Sequence, residues 1–196
     1  MSKRVLVINA HPHADSGHFC AAVADAYEAG ARAGGHAVRR IDLADLDFPL
    51  LRDPADFASP PPPDVQMAQE AVLECEHLVV AYPIWLGSMP AFAKAFFEQF
   101  ARDQFALADN PKGGFPLRRL KGRSARVIVT MGMPAAAYRL MFGAHGVRGF
   151  EVSTLGMSGF KPVRETLIGM VGDGGQGNER LKRRLDQIRL LGERAR

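Results

Sequence analysis

The stretch VVAYPIWLGSMPAFAKAFFEQF, residues 79–100, decides the fold. With Leu78 ahead of it, the apolar run 78–82 shows no alternation, which is how a strand covered on both faces reads. Pro83 then lacks the N–H that a further ladder bond needs. Residues 84–89 form a loop. Pro90 stands where a helix tolerates proline, in the first turn, and Phe92, Phe96, Phe97 and Phe100 follow at about one helical turn. Strand, apolar loop and helix make the repeating unit of an open α/β sheet, in which ligands lie beyond the carboxyl ends of the strands. Ile84, Trp85, Leu86 and Gly87 offer flat apolar surface and backbone amides but no acid, base or metal ligand. Such a loop suits a large planar ligand.

The same unit recurs on either side. Residues 4–10 are β-branched and apolar, as in a central parallel strand, and 11–17, HPHADSG, are a turn cluster. Phe19, Val23, Ala26, Tyr27 and Gly30 then run at helical spacing to the stop signal Gly34-Gly35. Residues 37–43 make a second strand, set beside the first by a right-handed βαβ crossover. Residues 45–64 are a long loop stiffened by four consecutive prolines, of a length that often serves as a lid or an interface. A short helix is expected at 65–75. Beyond residue 100, a second long connection (102–122) leads to a fourth strand at 125–131 and a helix at 135–142. The stretch 145–160 is interrupted by glycines, and Phe150, Val152 and Leu155 give it only a weak helical pattern. A fifth strand spans 162–171, and after a loop at 172–177 the last helix, 179–194, lays Leu181, Leu185, Ile188 and Leu191 on the sheet. This alternation predicts one α/β domain over residues 1–196, a doubly wound sheet of five parallel strands in the order 2-1-3-4-5. In that order the loops after strands one and three flank one crevice, and residues 131–134 form its third wall.

Bulk properties narrow the classes. The chain has 196 residues, 47% of them hydrophobic, which is ordinary for one globular domain. Its net charge of +4 is unevenly placed, since residues 179–196 carry seven basic and three acidic side chains while the rest is balanced. Without interleaved aromatics this basic helix reads as a solvated face, and no nucleic-acid partner is expected. Cys20 and Cys75 stand alone, outside any disulfide framework or zinc spacing. The apolar run after MSKR is too short for a signal peptide or a membrane span, and a cytoplasmic protein is expected.

The first loop carries neither G-x-G-x-x-G nor a Walker sequence. It ends in Ser16-Gly17 at a helix start, where free amides and the helix dipole favour a phosphate that His11 or His18 can also reach. Asp15 or Ser16 serving only as a helix N-cap is the plainer alternative. His11 and His13 raise the question of a metal, but no carboxylate or cysteine spacing completes a set, so none is expected. A G-x-S-x-G elbow is absent, and Tyr82-Pro83 occupy the place of a phosphoacceptor aspartate. A phosphate at loop one, a planar apolar slot at loop two partly covered by Trp85, and small residues with amides at loop three together describe a flavin mononucleotide site.

Three segments, VLVINAHPHADSGHF, YPIWLGSMPAFAKAFFEQF and TMGMPAAAY, resemble the NAD(P)H:quinone oxidoreductase branch of the flavodoxin-like flavoproteins. The resemblance implies that His11, Ser16 and His18, with Gly17 between them, line the flavin phosphate or pyrophosphate. It places Pro83, Ile84, Trp85, Leu86 and Gly87 along the isoalloxazine and Thr130, Met131, Gly132 and Met133 on its far side. Tyr138 corresponds to the family's active-site tyrosine and His145 to its histidine partner, with the implied role of stabilising charge on the reduced ring. FAD or FMN as cofactor, NAD(P)H as donor, a quinone-like acceptor and a homodimer follow from the same resemblance. Four features depart from it: His18 replaces an asparagine, the tryptophan comes one position early, Met-Gly-Met-Pro replaces a glycine pair, and His145 lies one residue further from the tyrosine. A flavin-binding regulatory subunit or an electron carrier without turnover is the competing reading, and the slightly basic charge weakens the carrier version.

Overall fold

The computed structural model describes residues 2–15, 17–172 and 179–196. In chain order the elements are β1 (Arg4–Asn9), α1 (Phe19–Ala33), β2 (Ala37–Asp42), α2 (Pro63–Glu74), β3 (His77–Pro83) and α3 (Ala91–Phe100). There follow β4 (Leu107–Ala108), β5 (Leu117–Arg118), β6 (Ser124–Thr130), α4 (Ala135–Phe142), α5 (His145–Gly149), β7 (Val163–Ile168) and α6 (Glu179–Glu193). The main sheet is parallel with the order β2-β1-β3-β6-β7, which is 2-1-3-4-5 when its strands alone are counted.

Alternate residues of the central strands enter two separate cores, so the strands read as unbroken apolar runs. Val5, Val7, Val79 and Ala81 pack under α1 and α6 with Val23, Tyr27, Leu181 and Ile188. Leu6, Ile8, Leu78, Val80 and Tyr82 face α2 and α3, where Val72, Phe96, Phe97 and Phe100 meet them. Cys20 and Cys75 are buried free thiols that burial pushes up to about 12. They are packing residues and poor nucleophiles. No helix among the described residues is long and apolar enough to cross a membrane.

Several boundaries differ from the sequence reading. The connection 102–122 holds the small antiparallel pair β4–β5, and the loop 45–64 contains a 3-10 turn, Pro54–Ala58, capped by Asp53 accepting from the Ala55 N–H at 2.9 Å. Helix α2 starts at Pro63 because proline fits a first turn. Pro83 ends β3 inside the ladder, and the next amide, Ile84 N–H, donates to the Thr130 carbonyl at 2.8 Å. The weak pattern at 145–160 is a continuous helical segment, α5 running into a π-helix at Phe150–Gly156. Its buried residues Phe150 and Leu155 are five apart, so a 3.6-residue template does not register them.

One buried group gives the fold a pH dependence. His77, at the start of β3, is fully buried, with Nε2 2.9 Å from the Tyr27 hydroxyl and Nδ1 2.7 Å from Ser124 Oγ. Burial, with the nearby charges of Lys3 and Arg126, lowers its pKa to about 3. The unfolded chain takes up the proton near 6.5 and the folded chain only near 3. Stabilisation is therefore complete above 6.5 and is lost as pH falls through this window. Denaturant titrations are expected to show a loss of about 1 kcal/mol between pH 6 and pH 5, and a flatter slope in His77→Gln. A wild-type slope in that variant contradicts the assignment.

Candidate active site

The three loops converge where the sheet order reverses. In loop two, Trp85 N–H donates to the Ser88 carbonyl at 2.8 Å and Ser88 N–H returns to the Trp85 carbonyl at 3.1 Å. This closes a two-residue turn with Leu86 at φ 48° and Gly87 at φ 84°, the twist of a type I′ hairpin turn. Leucine in this left-handed region is disfavoured by about 1–2 kcal/mol, yet Leu86 is fully exposed at the tip. The Tyr138 hydroxyl donates to the Gly87 carbonyl at 2.8 Å. Gly146 of α5 lies directly behind, and a Cβ there would stand 2.3 Å from that same carbonyl oxygen.

Loop three is braced by the chain that leaves β7. Met131 N–H donates to the Ile168 carbonyl at 2.9 Å, Val171 N–H to Met131 at 3.0 Å and Met170 N–H to Met133 at 3.0 Å. Loops two and three enclose a cavity of about 490 Å³, lined by Ile84, Leu86, Gly87, Met131, Gly132, Met133, Tyr138 and Phe142. Among the described residues, the N–H groups of Leu86, Gly87, Gly132 and Met133 have no hydrogen-bond partner. Four unpaired donors on apolar walls suit a flat heteroaromatic ring with carbonyl and imine acceptors on its rim.

The sequence-derived site residues divide accordingly. Seven of the cavity residues were expected, and Phe142 was not; it stacks on Tyr138 at 6.2 Å and 27°, a four-residue aromatic spacing that the sequence already displays. Pro83 and Thr130 lie outside the lining, Thr130 contributing its carbonyl to hold Ile84. The amides of Ile84 and Trp85 are consumed within the protein, so the loop-two residues that line the cavity offer it the amides of Leu86 and Gly87. Trp85 is half exposed and turns toward loop one, edge-on to His11 at 6.0 Å. His145 is exposed, with its ring close to Gly143 and outside the cavity lining. Burial raises the Tyr138 phenol above its ordinary pKa, while the amides of Val147 and Gly146 pull it down. Its hydroxyl holds the Gly87 turn.

Loop one places His18 at the N-cap of α1 in extended conformation, with no side chain capping the helix. Asp15 is therefore not the N-cap, and Ser16 lies outside the described residues. The first-turn amides of α1 are therefore without a capping side chain. Asp15 Oδ1 accepts the Gly17 N–H at 2.8 Å. His11 is buried and stacks on His18 with ring centroids 3.9 Å apart. Burial, then the charge of His18, lowers its pKa. His13 Nδ1 lies 3.0 Å from His18 Nε2.

The sequence pattern of the Flavodoxin_2 family, described as a flavodoxin-like fold, matches residues 3–191. The chain belongs to this family. It is similar to the "Uncharacterized NAD(P)H oxidoreductase YcaK" of Escherichia coli K12, at 29% identity over 117 residues. That match spans 57% of this flavodoxin-like chain and about three-fifths (59%) of the relative. Among solved structures, the NAD(P)H:quinone oxidoreductase from Methanothermobacter marburgensis aligns over the whole of both chains, at 20% identity and a TM-score of 0.80. The FMN-dependent NADH-azoreductase of Bacillus anthracis, solved with FMN, aligns over 99% of each chain at 16% identity and a TM-score of 0.73. Smu.1420 from Streptococcus mutans covers 97% of this chain and 99% of its own, at 21% identity and a TM-score of 0.76. At these identities the structural likeness is one of fold.

Proposed function

We propose that the protein is a flavin-dependent NAD(P)H oxidoreductase that passes a hydride from NAD(P)H, through bound flavin, to a quinone-like acceptor. The observation that carries this reading is the set of four unpaired amides around the apolar cavity, with the uncapped start of α1 nearby. The names of the relatives, an NAD(P)H oxidoreductase, an NAD(P)H:quinone oxidoreductase and an FMN-dependent NADH-azoreductase, support it.

The flavin would supply the chemistry of accepting and releasing a hydride. The chain's own residues do the rest. Amides of Leu86, Gly87, Gly132 and Met133 bind the polar rim, while Ile84 and Met131 supply apolar wall. The start of α1, with His11 and His18, holds the phosphate. Leu86 and Phe142 exclude water at the mouth. Tyr138 orients the turn through Gly87. Leu86, Leu140, Met141 and Phe142 leave an exposed apolar surface beside the cavity, which supports a second copy of the chain completing each site in a homodimer.

The test is an anaerobic absorbance scan of flavin-reconstituted protein before and after NADH or NADPH, then after a benzoquinone. Bleaching of the flavin band and its return with quinone are expected, and the preparation should sediment at twice the 21.3 kDa chain mass. Flavin that binds but is not bleached by either nucleotide favours a regulatory or carrier role instead. A protein that binds no flavin removes the reading.

A further inference from the structure

Read along the chain, the histidines of loop one lack a partner that completes a metal set. The fold supplies one. The turn carries His18 back onto His13 and leaves Asp15 beside both, so that one ligand atom from each residue lies within 4.8 Å of the others. The two imidazole nitrogens, His13 Nδ1 and His18 Nε2, lie 3.0 Å apart, at hydrogen-bond distance, and His13 Nδ1 also accepts the Asp15 N–H at 3.4 Å, contacts that an ion would replace. Two nitrogens bound to one tetrahedral ion at about 2.0–2.1 Å stand only slightly further apart. Two of the three side chains are also held in place. The His18 ring is stacked on buried His11, and the Asp15 carboxylate is oriented by the Gly17 amide, which donates to Oδ1 at 2.8 Å.

Two imidazoles and one carboxylate form a borderline donor set, suited to zinc and its neighbours and unsuited to calcium or magnesium. Three protein ligands leave a tetrahedral ion one open position. His18 is at once a ligand and the N-cap of α1, so the ion sits within one residue of the amides that would meet a phosphate. Asp15 by itself puts a negative charge at that anion site. A divalent ion changes the sum: one carboxylate and two neutral imidazoles leave a net charge of about +1 facing a phosphate dianion.

We infer that His13, Asp15 and His18 form a site for a zinc-class divalent cation whose open position takes a phosphate oxygen of the flavin. The metal half stands on the loop geometry alone; the phosphate half rests on the flavin reading above. Metal-stripped, flavin-free full-length protein titrated calorimetrically with zinc chloride is expected to bind one ion per chain, at least tenfold more weakly in His13→Ala and in His18→Ala. Cobalt(II) in the same protein should give tetrahedral visible bands that shift on adding inorganic phosphate. Absence of saturable one-equivalent binding, or binding unchanged in both variants, overturns the site. FMN and riboflavin are then titrated with and without zinc. FMN retention should rise about tenfold with the metal while riboflavin is unaffected; equal FMN retention overturns the phosphate half. If neither flavin binds under any condition, the flavin reading and the phosphate half fall together, and the zinc isotherm still decides the metal site.

Discussion

Gly30→Ala is expected to lower the melting temperature by about 10 °C, corresponding to roughly 3 kcal/mol in a domain of this size. A Cβ on Gly30 would lie 2.0 Å from the Arg189 carbonyl oxygen and 2.7 Å from its carbon. Both are backbone atoms of α6, so no side chain can turn aside to make room. The contact is reciprocal, since a Cβ on Gly192 would lie 2.2 Å from the Tyr27 carbonyl oxygen. The two helices therefore meet backbone to backbone, and alanine must drive them apart by more than an ångström. That separation loosens Tyr27, Leu181 and Ile188 from the sheet. Alanine is a better helix former than glycine by about 1 kcal/mol, which offsets only part of the loss. Gly149→Ala is the control: a Cβ there meets nothing within 4 Å at an ordinary helical φ of −58°, so it should be neutral or slightly stabilising. Thermal unfolding of both variants decides the matter, and equal melting temperatures would show that the helices do not touch in this way.

What could be read from the chain and what could not separate along physical lines. The three central strands, β1, β3 and β6, were legible because burial on both faces leaves a dense apolar run such as Leu78–Tyr82, closed by Pro83. Loops two and three were legible as neighbours because the α/β alternation places them at the same end of the sheet, where they line one cavity. The close approach of Gly30 to Arg189 was not, because it joins residues far apart in sequence that look like unremarkable helix positions. The π segment was hidden for a different reason, since Phe150 and Leu155 repeat at five residues and no common helical template looks for that spacing. The partition of amides in loop two was also invisible: it is the folded turn that makes Ile84 and Trp85 donate within the protein while Leu86 and Gly87 do not. The same holds for His18 folding back on His13. Sequence spacing placed them five apart, and the turn made them neighbours.

Gly146→Ala is expected to reduce flavin retention at least tenfold while leaving the fold intact. The glycine sits at the second position of α5, and a Cβ there would meet the Gly87 carbonyl oxygen at 2.3 Å and Ser88 Cα at 2.9 Å. These atoms belong to the turn that presents the Leu86 and Gly87 amides to the cavity. The turn is an exposed loop anchored by two backbone bonds across its base and by the Tyr138 hydroxyl. It can therefore shift outward, whereas the α1–α6 contact cannot relax without opening a core. A displacement of about 1 Å breaks the Tyr138–Gly87 bond and moves two of the four free donors out of register, and misplacements of that size can cost up to about a hundredfold in a positioned site. Tyr138→Phe removes the hydroxyl and leaves the backbone free to stay in place. With a net hydrogen bond worth about 1 kcal/mol, it should weaken flavin retention less than Gly146→Ala does. Equilibrium dialysis with FMN and a melting curve for each variant separate the two effects. Wild-type retention in Gly146→Ala would mean that the Gly87 turn does not form a wall of the flavin site. Equal losses in the two variants would instead assign the whole effect to the Tyr138 hydroxyl.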